Sequence, residues 1–163
     1  MPFTPYHFGP SAFIGLSLKR WLDVPAFILA NVVVDIEVLF AGAWPHHQYW
    51  HWHTLSIGTL VGAIWGLAAY PLRNIFKKIM QVLHIPYETG LWKMVISGIL
   101  GVWLHVITDA LYHWDVQIFW PSKISPLYEL LSKGQLIAVC IAFFVAAVIL
   151  YAFISRQSSK PKT

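Results

Sequence analysis

Residues 91–113 form an apolar stretch of helical length that closes on His105-Val-Ile-Thr-Asp109-Ala-Leu-Tyr-His113. Steps of four keep side chains on nearly one face of a helix. His105, Asp109 and His113 therefore make one stripe that drifts about 80° over two turns. A carboxylate inside an apolar span is costly and marks a functional site by default. Two imidazoles flanking it can hold a metal, or let the carboxylate bridge two metals. The competing reading is a buried polar network that ties this helix to a neighbour. The choice between them turns on whether other ligands arrive at the same depth.

The rest of the chain provides the apolar setting. Of its 163 residues, 58% are hydrophobic and 11% charged, against about 25% charged in soluble domains. This composition fits a compact all-α bundle of membrane helices and leaves little length for a soluble domain. The net charge of +4 is not a nucleic-acid signal. Its Lys and Arg fall at helix ends and in the tail, where they orient membrane proteins. Cys140 is the single cysteine, so no internal disulfide forms and the redox compartment is not legible. The start, Met-Pro-Phe-Thr-Pro-Tyr-His, lacks the basic and apolar regions of a signal peptide. We expect an integral protein of the bacterial inner membrane.

In chain order, Pro2 and Pro5 oppose a helix start, and Pro10 suits a first helical turn. Residues 10–20 read as a short N-terminal helix ending in Lys19-Arg20. It is too short to cross a core of about 30 Å. It is either a fifth span with His7 recessed, or a re-entrant or interfacial segment. Four transmembrane helices are expected, at 25–43, 53–72, 91–113 and 135–154. The first carries Asn31 and Asp35 on one face, with Glu37 pointing elsewhere on an ideal helix. Either that helix frays near Asp35 or Glu37 serves a different partner. The second has Gly58, Gly62 and Gly66 spaced by four, the small-residue surface that packs membrane helices. Between these two spans lies Trp44-Pro45-His46-His47-Gln48-Tyr49-Trp50-His51-Trp52-His53. An interfacial aromatic belt accounts for its tryptophans but not for four histidines, and we expect His51 and His53 to meet a metal. Residues 73–91 read as a basic amphipathic helix on the membrane surface, with His84 an ordinary surface histidine. The domain runs over 1–154, and 155–163 is a disordered basic cytoplasmic tail.

Charge asymmetry gives an independent check. Lys19-Arg20, the Arg73–Lys93 segment and the tail fall on one side, the cytoplasmic one. The loops at 44–52 and 114–134 then face outward. His7, Asp35, Glu37, His51, His53, His105, Asp109 and His113 all converge on that outer leaflet. Scattered structural polar groups would not do so. Mixed His and carboxylate ligands suit Zn²⁺, with Mn²⁺ or Fe²⁺ as alternatives, and the number of ligands calls for two ions. Paired metals clamp an in-line displacement at phosphorus. Glu37 or Asp115 would serve as general base, and a substrate at this depth is a membrane lipid or another amphiphile.

Met1-Pro2-Phe3-Thr4 with His7, Asp35-Ile36-Glu37, His53-Thr54 and His105-xxx-Asp109-xxx-His113 together resemble the membrane-bound metal-dependent hydrolase family (YdjM-like). That family is distantly similar to zinc-dependent phospholipase C. The resemblance covers nearly the whole chain and implies His7, Asp35, Glu37, His53, His105 and Asp109 as metal ligands. The family's His-Arg pair is missing, and His46, His47 and His51 compete for its place. The leading expectation is a membrane hydrolase of a lipid-like phosphoester with a dinuclear His/Asp site. The alternatives are a membrane di-iron oxidase of the desaturase or hydroxylase kind, although no His-x-x-His-His cluster is present, and a non-enzymatic metal-binding or structural membrane protein.

Overall fold

The structure, a computed structural model, describes residues 4–41 and 46–158. The expectations for Met1-Pro2-Phe3, Trp44 and residues 159–163 lie outside these residues. All regular structure among the described residues is helical: α1 (Phe8–Ser17), α2 (Val24–Val34), α3 (Ile36–Ala41), α4 (Leu55–Ala69), α5 (Arg73–Val82), α6 (Leu91–Ala110) and α7 (Lys133–Ser158).

Local chemistry sets several boundaries. The Asp23 side chain accepts from Ala26 N at 3.0 Å and caps α2, with Pro25 in the first turn. Thr54 caps α4 through Ile57 N at 3.2 Å. Three helical runs are long and apolar enough to cross a membrane: Leu55–Val82, Leu91–Ala110 and Lys133–Ser158. The span expected at 25–43 is not one continuous helix. It breaks at Asp35, leaving α2 with 11 residues and a length of about 16 Å, well short of the hydrocarbon core.

α4 and α6 pack through backbone. A Cβ on Gly62 would lie 2.6 Å from Ile99 Cα, and one on Gly66 would collide with Val95 Cα. Gly98 presses on the Gly62 carbonyl, and Gly101 on the Phe27 carbonyl of α2. The glycine face at 58, 62 and 66 is thus the packing surface the sequence implies. α7 lies against α1, where Gly9 meets the Cys140 carbonyl, and turns Ile141, Phe144, Val148 and Phe153 outward.

The Leu55–Val82 run is not straight helix throughout. It passes through a 3₁₀ turn at Tyr70–Leu72, with Pro71 early in that turn. Beyond it, Phe76 of α5 packs with Ala26, Ala69 and Met94. Met80 packs with Leu16, Val24, Ile85 and Ile154. These residues sit at the ends of α1, α4 and α7 and the starts of α2 and α6, so α5 lies across one end of the bundle. Ile75, Ile79 and Val82 are exposed on its other flank, the arrangement of an interfacial amphipathic helix. α1 and α2 connect this basic end with the polar cluster described next, α1 starting at the cluster and α2 ending there.

Candidate metal centre

Four segments deliver the cluster. His7 immediately precedes α1, and Asp35 sits in the α2–α3 break. His47 and His53 come from the segment before α4. His105 and Asp109 come from the end of α6, with His113 and Asp115 in the turns after it. Asp109 is at the centre, almost completely buried. Its Oδ1 lies 3.2 Å from His7 Nε2. Its Oδ2 lies 3.0 Å from His105 Nε2, 3.8 Å from His53 Nε2 and 3.9 Å from His47 Nε2. Asp35 Oδ1 adds contacts of 3.1 Å to His105 Nε2 and 3.4 Å to His53 Nε2.

Two ligand groups lie here, and Asp109 belongs to the first. Asp35, His53, His105 and Asp109 each offer a ligand atom within 4.8 Å of one another, and so do His47, His113 and Asp115. His105 Nε2 is near two carboxylate oxygens yet aligned for a hydrogen bond with neither. That is how donors sit when they face a common centre rather than each other. Asp115 Oδ1 is likewise buried without a hydrogen-bond partner among the described residues. Such orphaned atoms are costly unless something satisfies them. Each ion pair described for these acids is with a histidine. The donor set and the orphaned atoms both fit a divalent cation.

The far side of three rings fixes their orientation. His53 Nδ1–H donates to Glu37 Oε2 at 2.8 Å. His47 Nδ1–H donates to Asp115 Oδ2 at 2.9 Å. His105 Nδ1–H donates to Asn31 Oδ1 at 3.3 Å. Asn31 is held in turn, because its Nδ2 donates to Ser11 Oγ at 2.8 Å and to Ile28 O at 2.7 Å. Each ring therefore turns the Nε2 lone pair toward Asp109, the pattern by which outer partners orient metal-binding histidines. Burial works against the Asp115 carboxylate, but the hydrogen bonds it accepts from the ring and the backbone N–H of His47 outweigh this and hold it below the usual carboxylate range.

Glu37 and Asp115, expected to handle protons, both lie against the Nδ1 of a histidine. Glu37 is fully buried. Its Oε1 accepts from Trp50 N at 2.5 Å and its Oε2 from Trp52 N at 3.0 Å. The break at Asp35 and the separate partner for Glu37 are thus both realised: the break lets Asp35 face the cluster while Glu37 anchors the loop. His51 takes no place in either group. Its backbone is left-handed (φ 55°), and its ring stacks on Trp120 with centroids 4.7 Å apart. His47 holds the place instead. His7 stacks on His105 at 4.3 Å, and its Nδ1 has no partner among the described residues. His113 packs beside His47 at 4.7 Å. Asp35 is the one member with appreciable exposure, 21% of its side chain, and marks the way in. Exposed Phe40 and Trp50, their rings tilted against each other with centroids 5.5 Å apart, lie nearby on the adjoining segments. No protein-family model, curated protein or solved structure matches the chain.

Proposed function

We propose that the protein is a membrane-embedded, metal-dependent hydrolase acting on a phosphoester of a lipid-like substrate. The observation that carries this is the single buried carboxylate of Asp109, faced by the Nε2 atoms of His7, His47, His53 and His105, with buried acceptors behind three of those histidines. Asp35, His53 and His105 would hold one ion with Asp109, and His47 and His113 would offer ligands to the second, with Asp115 behind the His47 ring. Asp109 would be shared, with His7 completing the set through Nε2. Zinc suits these ligands best, with manganese and iron as alternatives. Such ions, when bound, supply an activated water and stabilise the leaving oxygen of an in-line displacement at phosphorus.

The chain's own groups do the positioning. Glu37, Asp115 and Asn31 hold the three Nε2 atoms in place, and Asp35 guards the opening. The aromatic side chains near that opening and the apolar helix faces favour an amphiphile over a soluble ester. In this reading the broken α2–α3 segment is a fourth, discontinuous span. The site opens toward the outer leaflet of the inner membrane, and the basic end faces the cytoplasm.

The test is metal content per chain in mild detergent. About two zinc or manganese ions in the wild type, lost in Asp109→Ala, is the expected result. Asp109→Asn should then abolish metal-dependent release of phosphate or a headgroup from lipid phosphoesters. A wild-type protein free of metal would make the cluster a structural network and end the hydrolase reading. Iron with an oxygen-dependent product would replace it with an oxidase.

A further inference from the structure

The end of the bundle opposite the metal centre carries a second built feature. The segment after α5, residues 83–90, folds back onto the starts of α2 and α6, and Asp23 ties it there. The Asp23 carboxylate is completely buried. It accepts from Ala26 N at one oxygen, and from the Tyr87 hydroxyl at 2.6 Å and the Thr89 hydroxyl at the other. Its own N–H donates to Ser97 Oγ at 2.7 Å. Burial and the adjacent Asp23 carboxylate push the Tyr87 phenol above its usual range, so it remains a donor. From α6, Lys93 Nζ donates to Lys19 O at 3.1 Å and to Glu88 O at 2.6 Å, joining the α1–α2 turn to this segment.

These bonds frame a pocket of about 310 Å³ lined by Lys19, Arg20, Pro86, Tyr87, Glu88 and Lys93. Three cations face it against one acid. Its surroundings are those of a membrane surface. Trp21, 65% exposed, stands beside Arg20, whose guanidinium lies 6.0 Å from the indole. Trp92, 75% exposed, stands beside Lys93. Exposed tryptophans of this kind sit at headgroup level. One residue before Pro86, Ile85 lines a cleft of about 400 Å³ with Leu16, Val24, Ile28 and Met80 among its apolar walls. Consecutive residues thus border a cationic pocket and an apolar cleft.

We propose that this pocket is a site for an anionic phospholipid, its phosphate held among Lys19, Arg20 and Lys93 and an acyl chain lying in the cleft behind Ile85. A basic pocket between membrane helices is suited to an anionic headgroup, and the adjoining cleft selects a lipid over a free anion. The site is separate from the metal centre and does not depend on what that centre does.

The test is lipid retention by the intact protein in detergent, read by native mass spectrometry after exchange with phosphatidylglycerol or phosphatidylcholine. Phosphatidylglycerol should be retained and phosphatidylcholine not. Each cation near a membrane surface contributes roughly a five-fold change in affinity. Lys19→Gln with Arg20→Gln should therefore weaken retention by about 25-fold, and Arg20→Gln alone by about five-fold. Arg20 is exposed, so the single variant keeps the fold. Lys77→Gln with Lys78→Gln removes the same charge from exposed positions on α5 and should leave retention unchanged. Three results would overturn the proposal: equal retention of phosphatidylcholine, an equal loss in the α5 variant, or displacement of the lipid by millimolar inorganic phosphate.

Discussion

Asn31 and Glu37 touch no substrate in the proposed reaction, yet each decides which nitrogen a histidine presents to Asp109. Removing such a partner typically weakens metal binding by about 10- to 100-fold. Glu37→Gln should do so in a chelator competition while the helical content holds. An unchanged affinity would mean that loop packing alone orients His53. The histidines separate more sharply. His47→Ala should lose about one of the two ions, whereas His51→Ala should keep both, because the His51 ring lies on Trp120. Loss of metal in His51→Ala with full retention in His47→Ala would reverse the assignment. This pair also marks how far the sequence reaches. The pair His105 and Asp109 is legible because a helical step is a local property, whereas His113 leaves that stripe, because α6 ends at Ala110 and His113 sits in the turns beyond it. The choice among His46, His47 and His51 is not legible, because it rests on a left-handed backbone at His51 and on Glu37 gripping Trp50 N and Trp52 N. A non-glycine residue with positive φ costs of order 1 kcal/mol or more, and no residue-type pattern in that segment announces it.

Helices set the distances between these side chains. α4 begins just after His53, and α6 ends just after Asp109, so the glycine seam between them fixes how closely the two meet. A larger residue in the seam has backbone, not a flexible side chain, to displace. Gly62→Val should lower stability by about 1–3 kcal/mol, the usual cost of overpacking, and release metal in parallel. Gly134→Ala, where nothing lies within 4 Å of the added carbon, should change neither. Thermal unfolding in detergent and metal content, measured together, check both variants. A Gly62→Val protein that loses stability but keeps full metal would uncouple the seam from the site. The seam and the amphipathic α5 are readable as spacing. The break at Asp35 is less so: one helix over 25–43 satisfies hydrophobicity, and only the reach of Glu37 to a segment 13 residues onward shows why the chain gives up that continuity.

At the scale of the molecule, two short helices and two long ones meet at the same cluster from the same end. α1 and α2, with 10 and 11 residues, are about 15 and 16 Å long. On α6, Asp109 lies 18 residues past Leu91, or about 27 Å along its axis. In the proposed membrane setting, a centre reached by half-length helices from one side and by the last turn of a full-length helix would lie beyond the middle of a core of about 30 Å. The opposite end carries Lys19, Arg20, Arg73, Lys77, Lys78 and Lys93, and in the proposed orientation, which follows the positive-inside rule, that end would face the cytoplasm. Exposed Tyr49 beside the centre and exposed Gln81 on α5 should then lie on opposite sides. In a Cys140→Ser background, Tyr49→Cys should react with a membrane-impermeant maleimide on intact cells. Gln81→Cys should react only after the membrane is opened. The reverse pattern would put the metal centre on the cytoplasmic side and the basic end outside, and its substrate would then have to be sought among inner-leaflet lipids. Labelling of both positions in intact cells would mean that the helical runs do not traverse the bilayer as their lengths imply.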